Sequence, residues 1–413
     1  MGWASRICGA VALVAAGAAC SGSPGEGRAP APDTSSRVAS TVPASSTTSM
    51  PAPAFGAGFL TVGDEHACAL DEDGRAWCWG YGDSGRLGGA SGGDAAVPVP
   101  VATDARFRTL SAGRTSTCGI TTDGRTLCWG GNARGQLGDG ATGRGTGDAD
   151  RPTPGEVLGA RAFEDVAVGQ LHVCALDGEG GVWCWGASSS GQLGAAVGGD
   201  QTAPIRAGGD LRLVRLAQGG DTTSCGVDAD GAAWCWGSNN FGQLGDGTRT
   251  NVGQAEPRRV VGDHEFEALA VGRTHACGID LDGSLWCWGR NEAGQLGDGT
   301  TTDRAEPGVV AFDLPVRQVT ANDRVTCAVT DDGRGWCWGA NVEGRLGDGT
   351  LDDHAVPAEV AGGRRWRELH AGEAFTCGRT TDDAVFCWGT GQNGRLGDGS
   401  GEDRLVPVPV AVP

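Results

Sequence analysis

The chain has 413 residues and not one lysine, so all 32 of its basic residues are arginine. Without that amine there is no Walker-type phosphate loop and no Schiff-base chemistry. Acidic residues outnumber basic ones 51 to 32, a formal net charge of −19. Nucleic-acid binding needs clustered cations, and this composition argues against it. Long apolar runs are equally scarce. The only sustained one, residues 7–19, is too short to span a bilayer. Helix-rich architecture is disfavoured as well, because 75 of the residues are glycine, where an average chain has about 7%.

Arg6 followed by that apolar run reads as a secretory signal over residues 1–19, and Gly17-Ala18-Ala19 before Cys20 resembles a bacterial lipobox, with Gly17 where the motif usually has Leu. Lipid attachment at Cys20 is therefore expected, with plain cleavage and free secretion as the alternative. Residues 20–55 are dominated by Ser, Thr, Pro and Ala and cannot bury enough surface to fold. They form a tether whose roughly 35 residues could reach about 115 Å. The folded head, residues 56–413, should be held out to meet something.

Self-similarity decides the fold of that head. Apart from Cys8 and Cys20, fourteen cysteines form seven pairs of equal separation: Cys68 and Cys78, Cys118 and Cys128, Cys174 and Cys184, Cys225 and Cys235, Cys277 and Cys287, Cys327 and Cys337, and Cys377 and Cys387. Between the members lies a turn such as Asp71-Glu72-Asp73-Gly74, whose glycine supplies the positive φ a bulged hairpin needs. Centred there, the hairpin places the two cysteines directly opposite, at cross-strand disulfide distance. Seven disulfides are expected, consistent with export, each contributing about 2–3 kcal/mol in the chain-entropy model. Metal binding lacks ligands, since each unit offers two thiols and rarely a nearby histidine.

In Trp77-Cys78-Trp79 the two indoles share one strand face and the sulfur takes the other. The second Trp recurs at 79, 129, 185, 236, 288, 338 and 388, and the first is replaced by Leu127 and Phe386 in two units. Both faces are thus apolar and each sheet needs a neighbour on either side. Radial stacking in a closed ring provides that. Units of about 50 residues suit four short strands, so the fold class is all-β, a seven-bladed β-propeller.

The sentence spelled by each unit runs Gly-x-x-His-x-Cys-Ala-Leu at Gly63 to Leu70, then Asp-Gly, Trp-Cys-Trp-Gly, Gly-Gln-Leu-Gly-Asp-Gly-Thr at Gly294 to Thr300, and Pro-x-x-Val at Pro307 to Val310. This pattern resembles the repeat of the regulator-of-chromosome-condensation family over the whole head. The resemblance implies a seven-bladed propeller, with the terminal run 406–412 pairing with the first unit's strands to close the ring. Related propellers include a nuclear exchange factor for a small GTPase, a plant ultraviolet receptor and a secreted inhibitor of β-lactamases. Acidity and export disfavour the first. The receptor's Gly-Trp-Arg-His-Thr loops are absent here.

Several local matches look chemical and are better explained by the repeat. Gly82-Asp83-Ser84-Gly85 mimics a serine nucleophile motif but aligns with Gly131 to Gly135 of the next unit. Asp-x-Asp-Gly turns, as at Asp228 to Gly231 and Asp280 to Gly283, lack the distal Glu of a calcium loop. Asp139, Asp246, Asp298, Asp348 and Asp398 suit side-chain-to-backbone bonds. His66, His172 and His275 occupy one slot in alternate units, filled elsewhere by Ser116, Thr223, Val325 and Phe375, and are expected to be structural. No metal or cofactor is expected.

The informative positions follow the leading Gly or its substitute: Asp64, Arg114, Gln170, Asp221, Arg273, Asp323 and Glu373 vary while their surroundings repeat. Loops joining inner strands gather at one end of a propeller, so these residues are the candidate recognition surface. The insertion at 138–155 is a second candidate. No nucleophile, base and oxyanion donor assemble, so the chain reads as a non-enzymatic, monomeric, envelope-tethered propeller that binds a protein partner on one face, with no nucleic acid and no membrane contact beyond Cys20. One alternative is an inhibitor of a secreted or envelope hydrolase. Another is a polysaccharide lyase or hydrolase using Asp64, Asp221, Asp323 and Glu373 in the central funnel.

Overall fold

A computed structural model describes residues 59–89, 92–143, 149–159 and 161–411. The signal, Cys20, the whole tether over residues 20–55 and the middle of the 138–155 insertion lie outside the described residues. The described chain forms seven antiparallel sheets in sequence order, blades 1 to 7, over residues 60–100, 107–156, 163–206, 215–259, 266–310, 316–359 and 366–409. Six sheets have four strands. Blade 4 departs from the pattern, because its innermost strand breaks in two. Arg215–Leu216 pairs within its own blade, while Gln218–Gly219 leaves to pair parallel with Ala270 and Val271 of blade 5. Gly219 and Gly220, both near φ +90°, make that departure possible.

The cysteine register is as the spacing requires: in each second-to-third-strand hairpin the two cysteines are direct partners, with Cα atoms 4.1 Å apart and a disulfide formed. Strand alternation sends sulfur to one face and indole to the other, and the ring makes use of both. Cys68 and Cys78 pack in one cluster with Trp129 of blade 2, Cys277 and Cys287 with Trp338 of blade 6, and Cys377 and Cys387 with Trp79 of blade 1. The remaining seams repeat the pattern. All seven second-position tryptophans are fully buried. A buried indole N–H needs an acceptor, and each finds the same one, the carbonyl of the Gln or Arg in the preceding blade's Gly-Gln/Arg-Leu-Gly turn. Trp288 donates to Gln243 and Trp388 to Arg345 at 3.0 and 2.9 Å. The Gly after that Leu is obligatory, since a Cβ at Gly347 would stand 2.4 Å from the Trp388 Nε1 and its φ is +73°.

Ring closure corrects the expectation drawn from the resemblance. The last strand, Arg404–Pro409, pairs with Val385–Gly389 of its own blade, and blade 1 has its own outer strand, Ala95–Pro100. Among the described residues no strand is exchanged at the closing seam. Closure is an ordinary seam instead. The Trp79 indole donates to the Arg395 carbonyl at 3.1 Å, Val410 packs in the Trp79 cluster, and Arg395 pairs with Glu65 at 2.8 Å.

Every outer strand carries proline, from Pro98 in blade 1 to Pro407 in blade 7, and a residue without an N–H blunts an exposed sheet edge. No helix among the described residues is long and apolar enough to cross a membrane.

Candidate functional site

Around the axis the inner ends of blades 1 to 3 approach so closely that only glycine fits. A Cβ on Gly63 would lie 2.1 Å from the Gly113 carbonyl oxygen, one on Gly113 2.2 Å from that of Gly169, and one on Gly169 2.5 Å from that of Gly220. The residue after each of these glycines is therefore the first with room for a side chain. All seven predicted positions line one axial cavity: Asp64, Arg114, Gln170, Asp221, Arg273, Asp323 and Glu373. At about 70 Å³ it has space for roughly five waters. We refer to this end as the mouth. The second-to-third-strand hairpins, with their Asp-Gly turns, lie at the opposite end.

Charge at the mouth is paired unevenly. Arg273 reaches Asp221 at 3.1 Å and Asp323 at 3.7 Å, and Asp323 is also held by the buried Arg345 at 3.2 Å. Asp323 has a φ of +36°, a left-handed geometry, with its N–H donating to Asn322 Oδ1. Asp64 receives only Asn322 Nδ2, at 3.3 Å, and its carbonyl accepts the Glu373 N–H. Burial, reinforced by the Glu373 and Asp221 carboxylates, pushes the Asp64 carboxyl up to about 7. Asp221 is also raised by burial, against the pull of Arg273 and Arg114. Four carboxylates, two guanidiniums and one amide thus form a half-buried ring whose acidic side, around Asp64 and Glu373, lacks a cation partner comparable to Arg273.

Sequence reasoning missed Asn322. It stands where other blades have glycine, and its amide bridges Asp64 and the Ala371 carbonyl. The departure from Gly was the available signal. It also missed the polar staples between inner strands. Thr61 accepts the Ala112 N–H, Ser111 accepts that of Val168 and donates to Gln218, and Gln318 exchanges two bonds with Leu369.

The local look-alikes resolve as repeat grammar. Ser84 sits at φ +60° in a one-turn 3-10 segment whose counterparts carry Glu343 and Asn393 in the same conformation. Asp71, Asp177 and Asp228 each accept two backbone N–H groups of their turn and the indole N–H of the first Trp. Asp298 accepts the Thr300 N–H and hydroxyl, and Asp348 and Asp398 repeat this. His66, His172 and His275 each bond a hydroxyl of the next blade, Thr117, Ser224 and Thr326, at 2.7–2.8 Å. Burial holds them neutral, at about 3, 4 and 4. Among the described residues no three His, Cys, Asp or Glu side chains come together as a metal-holding group.

A closed ring of seven disulfide-pinned blades, identical at the seams and individual at one mouth, defines a repeat propeller. An RCC1-like domain matches residues 13–376 and a regulator of chromosome condensation (RCC1) repeat matches residues 382–413, and the chain belongs to this family. It is 29% identical over 249 residues to the ultraviolet-B receptor UVR8 of Arabidopsis thaliana, covering 59% of this chain and 56% of that one. To the E3 ubiquitin-protein ligase HERC2 of Homo sapiens it is 30% identical over 252 residues, 58% of this chain but 5% of the ligase. The chain thus spans about half of one relative and a small fraction of the other. Human WBSCR16 has the same fold with a TM-score of 0.68 at 22% identity, covering 76% of this chain and 84% of that one. Prp20p of Saccharomyces cerevisiae has a TM-score of 0.68 at 22% identity, with coverage of 78% and 83%.

Proposed function

We propose that the chain is a non-enzymatic binding propeller, exported and held at the cell envelope through Cys20, that engages a protein partner with its charged mouth. One observation carries this reading: on a scaffold where nearly every core position repeats, the seven side chains that vary all meet at one end of one channel. Varied charge on a rigid frame is what selective binding uses. Fourteen cysteines bonded in seven pairs support an oxidising compartment, and with it export. Among solved structures of the same fold, Prp20p has binding properties toward Gsp1p and histones, and yeast RCC1 is seen bound to Kap60. By analogy the partner here is a protein. A cavity of about 70 Å³ at the mouth speaks against a saccharide substrate in the funnel.

The test is capture from envelope and culture-fluid extracts of the native host, with the unaltered head and with a head carrying Asp64→Lys and Glu373→Lys. The proposal expects a protein retained by the first and lost from the second. Equal retention, or nothing retained by either, would reject it. If the captured protein is a hydrolase, its turnover in the presence of the head decides whether binding is also inhibition.

A further inference from the structure

We propose that the groove on the mouth face above blades 5 and 6 receives an acidic segment of the protein partner, whose carboxylates are taken by Arg290 and Arg324. The proposal rests on the reading of the mouth as the recognition face and names the chemistry of what lies against it. The groove holds about 360 Å³ and opens beside the axial cavity, Arg273, Asp323 and Glu373 lining both.

Two separate departures from the repeat build it. The residue after each Cys-Trp-Gly is Tyr81, Gly131, Ala187, Ser238, Ala340 or Thr390 in six blades and Arg290 in blade 5. The residue after each mouth position is Glu65, Thr115, Leu171, Thr222, Thr274 or Ala374 in six blades and Arg324 in blade 6. Neither slot holds a cation anywhere else on the ring, yet the two that do meet across one seam. The Arg290 N–H donates to the Thr274 carbonyl at 2.9 Å, which sets its backbone beside Arg273, and its guanidinium lies over the Phe241 ring, 4.5 Å from the centroid. Arg290 and Arg324 then reach the same carboxylate, Glu292.

What these two side chains leave unused points to an anion. A guanidinium carries five N–H donors. Among the described residues Arg290 and Arg324 donate hydrogen bonds to Glu292 alone, and Asp323, 3.7 Å from Arg324 Nε, is already held by Arg345. Arg345 is different: it is buried and also donates to the Ala340 and Glu373 carbonyls. One carboxylate shared by two partly exposed guanidiniums is an internal stand-in for what a partner can bring. Glu292 and Asp323 also set the class of ligand. A polyphosphate or sulfated chain presents a continuous run of charge that both would repel, whereas separate Asp or Glu side chains can each take one guanidinium fork. The wider groove at the hairpin end, about 830 Å³ where the inner strand of blade 4 breaks, sets Arg212 and Arg215 against Glu164, Asp165, Asp177 and Glu179 and has no such surplus of donors.

The test titrates the full chain with the peptide acetyl-Gly-Glu-Gly-Asp-Gly-amide and with its Gln and Asn counterpart, following the arginine Nε–Hε signals by NMR. The acidic peptide should shift the Arg290 and Arg324 signals along a saturating curve, and the neutral one should not. Arg290→Gln together with Arg324→Gln should weaken binding about fivefold. Glu292→Gln, which removes the internal competitor, should tighten it about threefold, a gain that damage to the fold would not produce. Four results overturn the proposal: no shift at either arginine, equal shifts with the neutral peptide, unchanged or weaker binding for Glu292→Gln, or a sulfated disaccharide that binds more tightly than the acidic peptide. Capture from host extracts is read separately. A partner caught by the mouth while the peptide fails rejects the groove and keeps the binding reading; peptide binding with no partner caught keeps a carboxylate site and rejects that reading.

Discussion

At the seams between blades every repeat presents the same two groups, a disulfide on one face and an indole on the other. At the mouth no two adjacent blades carry the same residue, the order being Asp, Arg, Gln, Asp, Arg, Asp, Glu. The two regions belong to the same seven blades, each mouth residue preceding its blade's first cysteine by 4 residues and its buried indole by 15. What separates them is whether a neighbour leaves a choice. Trp288 must fill the space against Cys225 and Cys235 and must reach the Gln243 carbonyl, so only one side chain serves. Arg273, one residue past a glycine whose added Cβ would meet the His275 ring, itself meets two carboxylates and solvent. Uniformity therefore marks stability here, and variation marks the place where the ring can be individual.

Substitutions should separate the two regions sharply. The largest effect is expected for Trp288→Ala, about 3–5 kcal/mol from lost burial and cavity formation, in denaturant unfolding. Arg273→Ala at the mouth should stay within about 0.5 kcal/mol. A wild-type midpoint for Trp288→Ala would undo the distinction. Removing one disulfide with Cys277→Ala and Cys287→Ala should cost about 2–3 kcal/mol by the same measurement. Thiol counting on the unfolded parent should find none of the fourteen head cysteines free.

Acid sharpens the comparison further. The three seam histidines titrate near 3 to 4 in the folded ring and near 6.5 when unfolded, so the unfolded state binds more protons between those limits. Stability should fall as pH drops from about 6.5 toward 4. His275→Phe, which installs the residue blade 7 uses in that slot, should flatten part of the slope; an unchanged slope would remove His275 from the account. At the mouth the sign is opposite. Asp64 titrates near 7 folded and near 3.8 unfolded, so its contribution is present at low pH and is lost as pH rises through 7. Asp64→Asn should raise the melting temperature at pH 8 and leave it nearly unchanged at pH 4.

Much of this was legible because the constraints are local. Equal cysteine spacing around an Asp-Gly turn forces direct cross-strand partners, and Trp-Cys-Trp alternation forces the two apolar faces. The mouth was readable for the same reason, as the single slot that varied after a constant glycine. Ring closure was misjudged because family habit suggested a shared strand, while both Ala95–Pro100 and Arg404–Pro409 were already present as outer strands of their own blades. The break in blade 4 was signalled by Gly219-Gly220, but glycine is so frequent in this chain that the pair did not stand out. The bond from each second Trp to the preceding blade's Gln or Arg carbonyl was hidden, since a backbone acceptor leaves no trace in side-chain identity. Its neighbour does leave one: the Gly after Leu in that turn never varies.

The account's central claim is that recognition belongs to the mouth and not to the hairpin end. Titrating the captured partner against two charge reversals decides this, Arg273→Glu at the mouth and Arg212→Glu beside the hairpin-end groove. A dissociation constant at least about tenfold weaker for Arg273→Glu, with Arg212→Glu matching the parent, is the predicted result. Unchanged affinity for Arg273→Glu together with a loss for Arg212→Glu would contradict it.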